Sequence, residues 1–370
     1  MDSDLILYIV VATALAFDFT NGFHDTANVV ATSISTRAMS PRIAVSFAAI
    51  LNFIGAFISL EVAAAVAKGI VEPGVVTTTV IFGGLIGAIA WNLITWYFGL
   101  PSSSSHALIG GVAGASFAAG GADALVAGGE GLLSKVVVPA VIAPTLAFMV
   151  AGIAILIIYR IVGGLRPGPV NRGFRLGQIV SGGMLALAHG TNDAQKTMGV
   201  ITLALVANGN LSSEGFHVPD WVVISAATAI AAGTWVGGWR IIRTMGSRIH
   251  KMDTAQGFAA QGAGATVILA ASHVGFPLST THTISGAVMG SGAAKRLSAV
   301  RWGIAGNIFV AWVLTLPAAA GIGAAIYGFT RLFGTGAAGP VIVGIMAIIA
   351  SAMLFARRAS RGPAIAEEAT

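Results

Sequence analysis

The sequence predicts an all-α integral membrane protein, and three observations carry that expectation: scarce charge, recurrent long apolar stretches, and polar motifs repeated inside them. Of 370 residues, 56% are hydrophobic and only 9% are charged, with a mean hydropathy of +0.86. Soluble domains carry about a quarter charged residues, so this chain lacks the polar shell needed to enclose one core in water.

The apolar stretches Ile43–Ala67, Val136–Tyr159, Trp221–Trp239, Ile304–Tyr327 and Val341–Phe355 suit helices crossing roughly 30 Å of hydrocarbon. Membrane strands would alternate apolar and polar residues, whereas these runs are continuously apolar. The 49 glycines suit close helix packing and broken helices. With no cysteine, disulfides and thiolate metal sites are excluded. The net charge of +6 does not indicate nucleic acid, because the basic residues fall in short loops, as membrane topology requires. Asp2 and Asp4 with no basic segment do not read as a cleaved signal peptide.

Two polar motifs recur in the same order. Asn21-Gly22-Phe23-His24-Asp25 aligns with His189-Gly190-Thr191-Asn192-Asp193, an offset of 168 (193 − 25). Pro101-Ser102-Ser103-Ser104-Ser105-His106 aligns with Pro277-Leu278-Ser279-Thr280-Thr281-His282, an offset of 176 (282 − 106). Chance similarity between apolar sequences does not place two motifs in register.

Loop charge then sets orientation. Basic clusters at Arg37/Arg42, Arg160–Arg175, Arg240–Lys251, Lys295–Arg301 and Arg357–Arg361 are assigned to the cytoplasm, and the acidic loops near Asp123/Glu130 and Glu214/Asp220 to the outside. Helices are expected over 5–36, 43–67, 136–159, 176–206, 221–239, 302–330 and 337–356. Segments 75–118 and 256–294 must each enter and leave by one face. The resulting division is a first repeat over 1–162 with its N-terminus outside and a hairpin 75–118 entering from outside. A cytoplasmic linker 163–175 follows, then an inverted second repeat 176–330 with hairpin 256–294 entering from inside. A further helix and cytoplasmic tail occupy 331–370. Oppositely oriented halves of this kind are the pattern of secondary transporters. The Pro-Ser breaks favour re-entrant hairpins whose tips stop at mid-membrane.

Asn21, His24, Asp25 and Asn28 follow i, i+3, i+4, i+7 spacing, one stripe of a helix; His189, Asn192, Asp193 and Lys196 occupy the equivalent stripe. A carboxylate at mid-helix costs about 2.5–3.5 kcal/mol on insertion scales, so it needs a cation, a proton or a partner. Interhelical bonding explains one such residue as well as function does; two matching stripes favour function. Asp25 and Asp193 are therefore expected to hold coupling cations or protons, with Asn21, Asn28 and Asn192 as neutral oxygen ligands. Gly22 and Gly190 are expected to let their helices open. Lys196, opposite Asn28, either pairs with an Asp or reaches an aqueous cavity, with the pair favoured.

At the second motif pair a proline ends one helix and a hydroxyl run begins the next, exposing free N–H groups and a positive dipole end. Two such termini converging from opposite faces suit a tetrahedral oxyanion such as phosphate or sulfate. His106 and His282 either donate to the anion or pack behind the tip. Adjacent Ser and His make no hydrolase triad, and His24, Asp25, His189 and Asp193 lack a zinc spacing. Asn52, Asn92, Gln261 and Asn307 read as structural, with a place lining the cavity the alternative for Asn52 and Gln261; Trp221, Trp239 and Trp302 read as interfacial.

Through Asn21–Asn28, Ala188–Lys196, Leu100–His106 and Pro277–His282, the chain resembles the inorganic phosphate transporter (PiT) family of bacterial type, from about residue 5 to 330. The resemblance implies symport of phosphate with Na⁺ or H⁺ in the cytoplasmic membrane, no enzymatic activity, no cofactor and a homodimer in the lipid bilayer. It places the anion on Ser103, Ser104, Ser105, Ser279, Thr280 and Thr281. It places cations on Asp25, Asn28, Asn192 and Asp193, with Na⁺ on Asp25 and Asp193 if sodium is coupled. His24 and the amides Asn52 and Gln261 depart from many relatives. Sulfate symport on the same scaffold and an anion channel are the alternatives.

Overall fold

The computed structural model describes residues 2–69, 71, 75–126, 131–212 and 217–359. Glu130, Glu214 and Arg361, used above to assign topology, lie outside the described residues, as does the tail beyond 359. The described residues are overwhelmingly helical, in agreement with the predicted class.

Helix α1 (Asp2–Ser35) has two acids in its first turn, favourable at the positive end of the helix dipole. It ends where Arg37 takes φ 58°, and Pro41 opens α2 (Pro41–Gly55), where its missing N–H does no harm. Then follow α3 (Glu61–Gly69), α4 (Thr78–Phe98), α5 (Ser104–Gly120) and α6 (Val138–Val162). The second half comprises α7 (Pro167–Ala207), α8 (Asp220–Val236), α9 (Trp239–Arg243), α10 (Thr254–His273), α11 (Thr280–Lys295) and α12 (Trp302–Arg331). Helix α13 (Ala338–Ala359) is the last element among the described residues.

Five of these segments are long and apolar enough to cross a membrane: α1, α4, α6 with the π turn before it, α12 and α13. A sixth arises if α8 and the stretch Trp239–Arg248, bent 62° from it, count as one span. The 41-residue α7 is long enough, but its polar centre dilutes its apolarity.

Helices α1 and α7 run side by side through the middle of the molecule. Around them the halves exchange partners: α1 packs on α8, and α7 packs on α2 and α3. The pair α4/α5 is flanked by α12, and the pair α10/α11 by α6. Small residues permit these contacts. A side chain at Gly110 or Gly114 would meet the Leu316 or Ala320 carbonyls of α12, and one at Gly286 or Gly290 would meet the Pro144 or Phe148 carbonyls of α6. The two glycine pairs stand 176 residues apart, the offset of the Pro-Ser motifs.

Two expectations are corrected. The stretch 43–67 is not one helix but α2 and α3, separated at residues 56–60. The break is fastened from α7: the Thr191 hydroxyl donates to the Gly55 carbonyl at 2.8 Å, and Gln195 Oε1 accepts from the Val62 and Ala63 amides at 2.8 and 3.2 Å. These bonds satisfy backbone groups that a helix end would otherwise leave orphaned. Conversely, α1 and α7 do not open at Gly22 and Gly190. Those glycines admit neighbouring backbone instead, since a Cβ would strike the Ile230 carbonyl of α8 or the Asn52 carbonyl of α2.

Candidate functional site

The two Pro-Ser motifs form the turns of the α4/α5 and α10/α11 hairpins. Gly99 adopts φ 69° to close α4, and Gly275 adopts φ 75° in the second turn. Ser103 and Ser279 then cap α5 and α11, their hydroxyls accepting from the His106 and His282 amides at 3.1 and 3.2 Å. These two residues of the expected anion set are thus engaged as caps. The tips touch, with the Ser105 hydroxyl donating to the Leu278 carbonyl at 3.2 Å. Behind them the rings of His106 and His282 meet edge to face at 4.7 Å, and His282 stacks on Trp312 at 4.1 Å. In this packing the two rings contact each other and Trp312.

Each tip reaches both acidic helices. From the second tip, Thr281 donates to Asp25 at 3.3 Å and Thr280 to Asp193 at 3.1 Å. Asn28 donates to Thr281 at 2.9 Å and more weakly to Thr280 at 3.4 Å. From the first tip, Ser105 accepts from the Lys196 ammonium at 2.5 Å, and Ser102 and Ser104 approach the His24 ring, each at 3.5 Å. Asp25, Asn28, Asp193, Lys196 and five tip residues (Ser102, Ser104, Ser105, Thr280, Thr281) therefore converge, every one of them buried.

Lys196 resolves toward the ion pair. Its ammonium contacts the Asp193 carboxylate and donates to the Leu278 carbonyl at 2.7 Å. On the opposite side, His189 Nε2 stands 3.1 Å from the second Asp193 oxygen, and its Nδ1 meets Asn52 at 3.3 Å. His24 is held similarly, between Asp25 at 2.8 Å and Thr95 at 3.0 Å. Asp25, His189 and Asp193 offer ligand atoms that all lie within 4.8 Å of one another. The two aspartates and the stripe carrying His189 were legible in the sequence, but the meeting of Asp25 on α1 with His189 and Asp193 on α7 was not, because tertiary packing alone sets which sides of the two helices face each other.

Two expected ligands sit elsewhere. Asn192 turns toward the second hairpin, donating to Ser272 at 2.8 Å and to the Phe276 carbonyl at 3.3 Å. Asn21, about one turn before Asp25, lies beside Asp18. The amides Asn52 and Gln261 are structural joints: Asn52 donates to Thr234 at 2.8 Å, and Gln261 bridges Ser33 at 2.6 Å and Ser181 at 2.9 Å.

A buried site in which two hydroxyl-rich helix termini meet two carboxylates and one ammonium is suited to an oxyanion with accompanying cations. The sequence profile of the phosphate transporter family matches residues 21–169 and 166–323, one match for each half. The chain belongs to the phosphate transporter family. Among its relatives are proteins named as probable low-affinity inorganic phosphate transporters. That of Mycobacterium tuberculosis is 52% identical over 89% of this chain and 78% of its own length. That of Bacillus subtilis is 46% identical over 88% of this chain and 98% of its own length. A solved structure described as the sodium-dependent phosphate transporter superposes with a TM-score of 0.74 at 25% identity, covering 88% of this chain and 99% of that one. With its apolar helices, the chain is accordingly a multi-pass membrane protein of this family.

Within that family setting, three polar residues at the site escaped the sequence reading: Asp18, Thr95 and Ser102. Thr95 carries no signal, since a hydroxyl in a helix usually bonds its own backbone; Ser102 was read only as part of the hydroxyl run, with no role of its own. Asp18 did carry one, a carboxylate within an apolar helix, but it stands outside the duplicated stripe.

Proposed function

We propose that this protein carries inorganic phosphate across the cytoplasmic membrane, coupled to Na⁺ or H⁺, by alternating access. The observation that carries the reading is the pair of bonds from adjacent threonines of one hairpin tip to the aspartates of both halves, Thr281 to Asp25 and Thr280 to Asp193. Phosphate bound by Ser104, Ser105, Thr280 and Thr281 would lie against two carboxylates and one ammonium. Two unit charges 4 Å apart interact by about 4 kcal/mol at an effective dielectric of 20, so a divalent anion is repelled there unless cations arrive with it. Cations held by Asp25 and Asp193, with Asn28 alongside, remove that repulsion. Lys196 then supplies a direct charge partner for the anion.

The membrane potential imposes the same requirement. Drawing a divalent anion into a compartment negative by 100 mV costs about 4.6 kcal/mol, at about 2.3 kcal/mol per charge. Two cations cancel the cost, and a third makes uptake electrogenic.

The proposed architecture is the inverted repeat, 1–162 and 176–330, joined by the linker 163–175. Hairpins 75–118 and 256–294 are re-entrant from opposite faces, the N-terminus lies outside and the C-terminus inside. Its support is the reciprocal packing of α1 on α8 with α7 on α2, and of each hairpin on the lone helix of the other half. Moving one half against the other would expose the tips to each face in turn. Transport as a homodimer, with no cofactor and no covalent step, completes the proposal.

Phosphate uptake into proteoliposomes under imposed Na⁺ or H⁺ gradients tests it, with sulfate as competitor. Concentrative uptake under at least one gradient, resistant to sulfate, is expected. Uncoupled downhill flux would indicate a channel, and equal inhibition by sulfate would refute phosphate selectivity.

A further inference from the structure

Asp18 is wholly buried in α1, and neither carboxyl oxygen receives a well-formed hydrogen bond. The Thr197 hydroxyl and the Asn21 amide lie against it. Thr197 Oγ1 and Asn21 Oδ1 are themselves buried without a hydrogen-bond partner. Three neighbouring groups are thus unsatisfied together, in a molecule whose other buried acids, Asp25 and Asp193, are each bonded to a threonine. The position 168 residues on is Ala186, so the second half contains no equivalent of Asp18.

The charged groups nearest Asp18 are Asp193 and Lys196, both on α7. Lys196 is already engaged by Asp193, Ser105 and the Leu278 carbonyl. The other elements packed on α1 bring titratable groups near their ends: Arg42 on α2, His106 on α5, Asp220 on α8, Arg240 and Arg243 on α9, Arg248 in the turn that follows it, His273 on α10, His282 and Lys295 on α11, and Arg357 on α13. Helix α4 has no charged residue. An ionised Asp18 would therefore be a buried charge without compensation, which proteins avoid by taking up a proton or a cation. The group offers few oxygens for a dehydrated metal ion, but a single proton completes it. A protonated carboxyl is neutral and still accepts from the Thr197 hydroxyl and the Asn21 amide that lie against it, so the buried group carries no uncompensated charge.

We propose that Asp18 is a proton-binding site of the transport cycle, separate from the cation site between Asp25 and Asp193. The proposal rests on the cation-coupled reading above and assigns one of the coupled ions to a residue of the first half alone. Through Asp193, the charge state of Asp18 is linked to Lys196 and hence to the anion site: a proton on Asp18 leaves the region one unit less negative when phosphate arrives.

The test is the number of protons entering per phosphate, read with an enclosed pH dye in proteoliposomes of the full-length protein. The wild type is expected to carry protons, Asp18→Asn to carry one fewer per phosphate, and Asp18→Glu to keep the wild-type ratio. Phosphate-dependent thermal stabilisation shows that each purified variant is folded. Thr197→Val, a milder change, is expected to shift the pH midpoint of uptake upward, because it removes a hydroxyl that stabilises the carboxylate. It also serves if Asp18→Asn fails to fold. An unchanged ratio in Asp18→Asn, an unmoved midpoint in Thr197→Val, or wild-type uptake that responds to Na⁺ and moves no protons would each overturn the proposal while leaving cation coupling intact. Wild-type protein that accumulates phosphate under neither gradient would overturn the coupled reading itself, and this proposal with it.

Discussion

The Thr281 hydroxyl donates to the Asp25 carboxylate at 3.3 Å, joining the tip of the second-half hairpin to the acidic helix of the first half. Its neighbour Thr280 makes the equivalent bond to Asp193 on α7. Adjacent side chains of one tip therefore sense the charge of both aspartates, and an anion that draws these hydroxyls away must leave the carboxylates to another partner.

Asp25→Asn and Asp193→Asn should accordingly abolish gradient-driven phosphate accumulation while the protein still inserts in the membrane. An amide still accepts a hydrogen bond from the threonine but cannot neutralise a cation. Uptake into proteoliposomes is the measurement, and accumulation retained in both variants would contradict the cation role.

Lys196→Met should destabilise the protein by about 3–5 kcal/mol, the range for removing one partner of a buried ion pair, because Asp193 remains buried beside it. Adding Asp193→Asn should recover much of that loss, since the second charge is then gone as well. Thermal unfolding in detergent, arranged as a double-mutant cycle, reads the coupling directly.

Ser103→Ala and Ser279→Ala should each cost about 1 kcal/mol of stability, as the loss of a helix cap does. Ser105→Ala removes a direct neighbour of Lys196 instead and should weaken phosphate binding more than either cap variant. Binding and unfolding measured on the same three proteins separate the two roles.

Gly190→Ala should destabilise by about 1–3 kcal/mol, the usual cost of overpacking, since the added carbon meets the Asn52 carbonyl. Gly168→Ala, in the first turn of the same helix, meets nothing within 4 Å and should stay within about 0.5 kcal/mol of wild type. Unfolding temperatures compare the two.

How far the sequence discloses this molecule depends on whether a feature is local. The hairpin turns were legible because proline, glycine and a hydroxyl run mark a broken helix within a few residues. The acidic stripes were legible because helical spacing and duplication both pointed at Asp25 and Asp193. The break between α2 and α3 was not, since residues 56–60 continue an apolar run and the groups that stabilise the break, Thr191 and Gln195, lie on α7. The bend after α8 was not read either: a helix was expected over 221–239, but it breaks at Gly237 and Gly238, where Gly237 takes φ 74°. The approach of His189 and Asp193 to Asp25 was equally hidden, because it depends on how two helices distant in sequence are rotated against each other. Gly22 and Gly190 were read as hinges from a glycine's conformational freedom, whereas close approach of a neighbouring backbone explains them.

The most direct test of the central claim is phosphate affinity measured on the purified protein as Na⁺ and H⁺ concentrations are varied separately. Linkage requires that a cation which strengthens phosphate binding is itself bound more tightly when phosphate is present. The geometry around Asp25 and Asp193 predicts that phosphate affinity rises with at least one cation, and that this dependence is weakened in Asp25→Asn and Asp193→Asn. Phosphate affinity indifferent to both cations in the wild-type protein would contradict it.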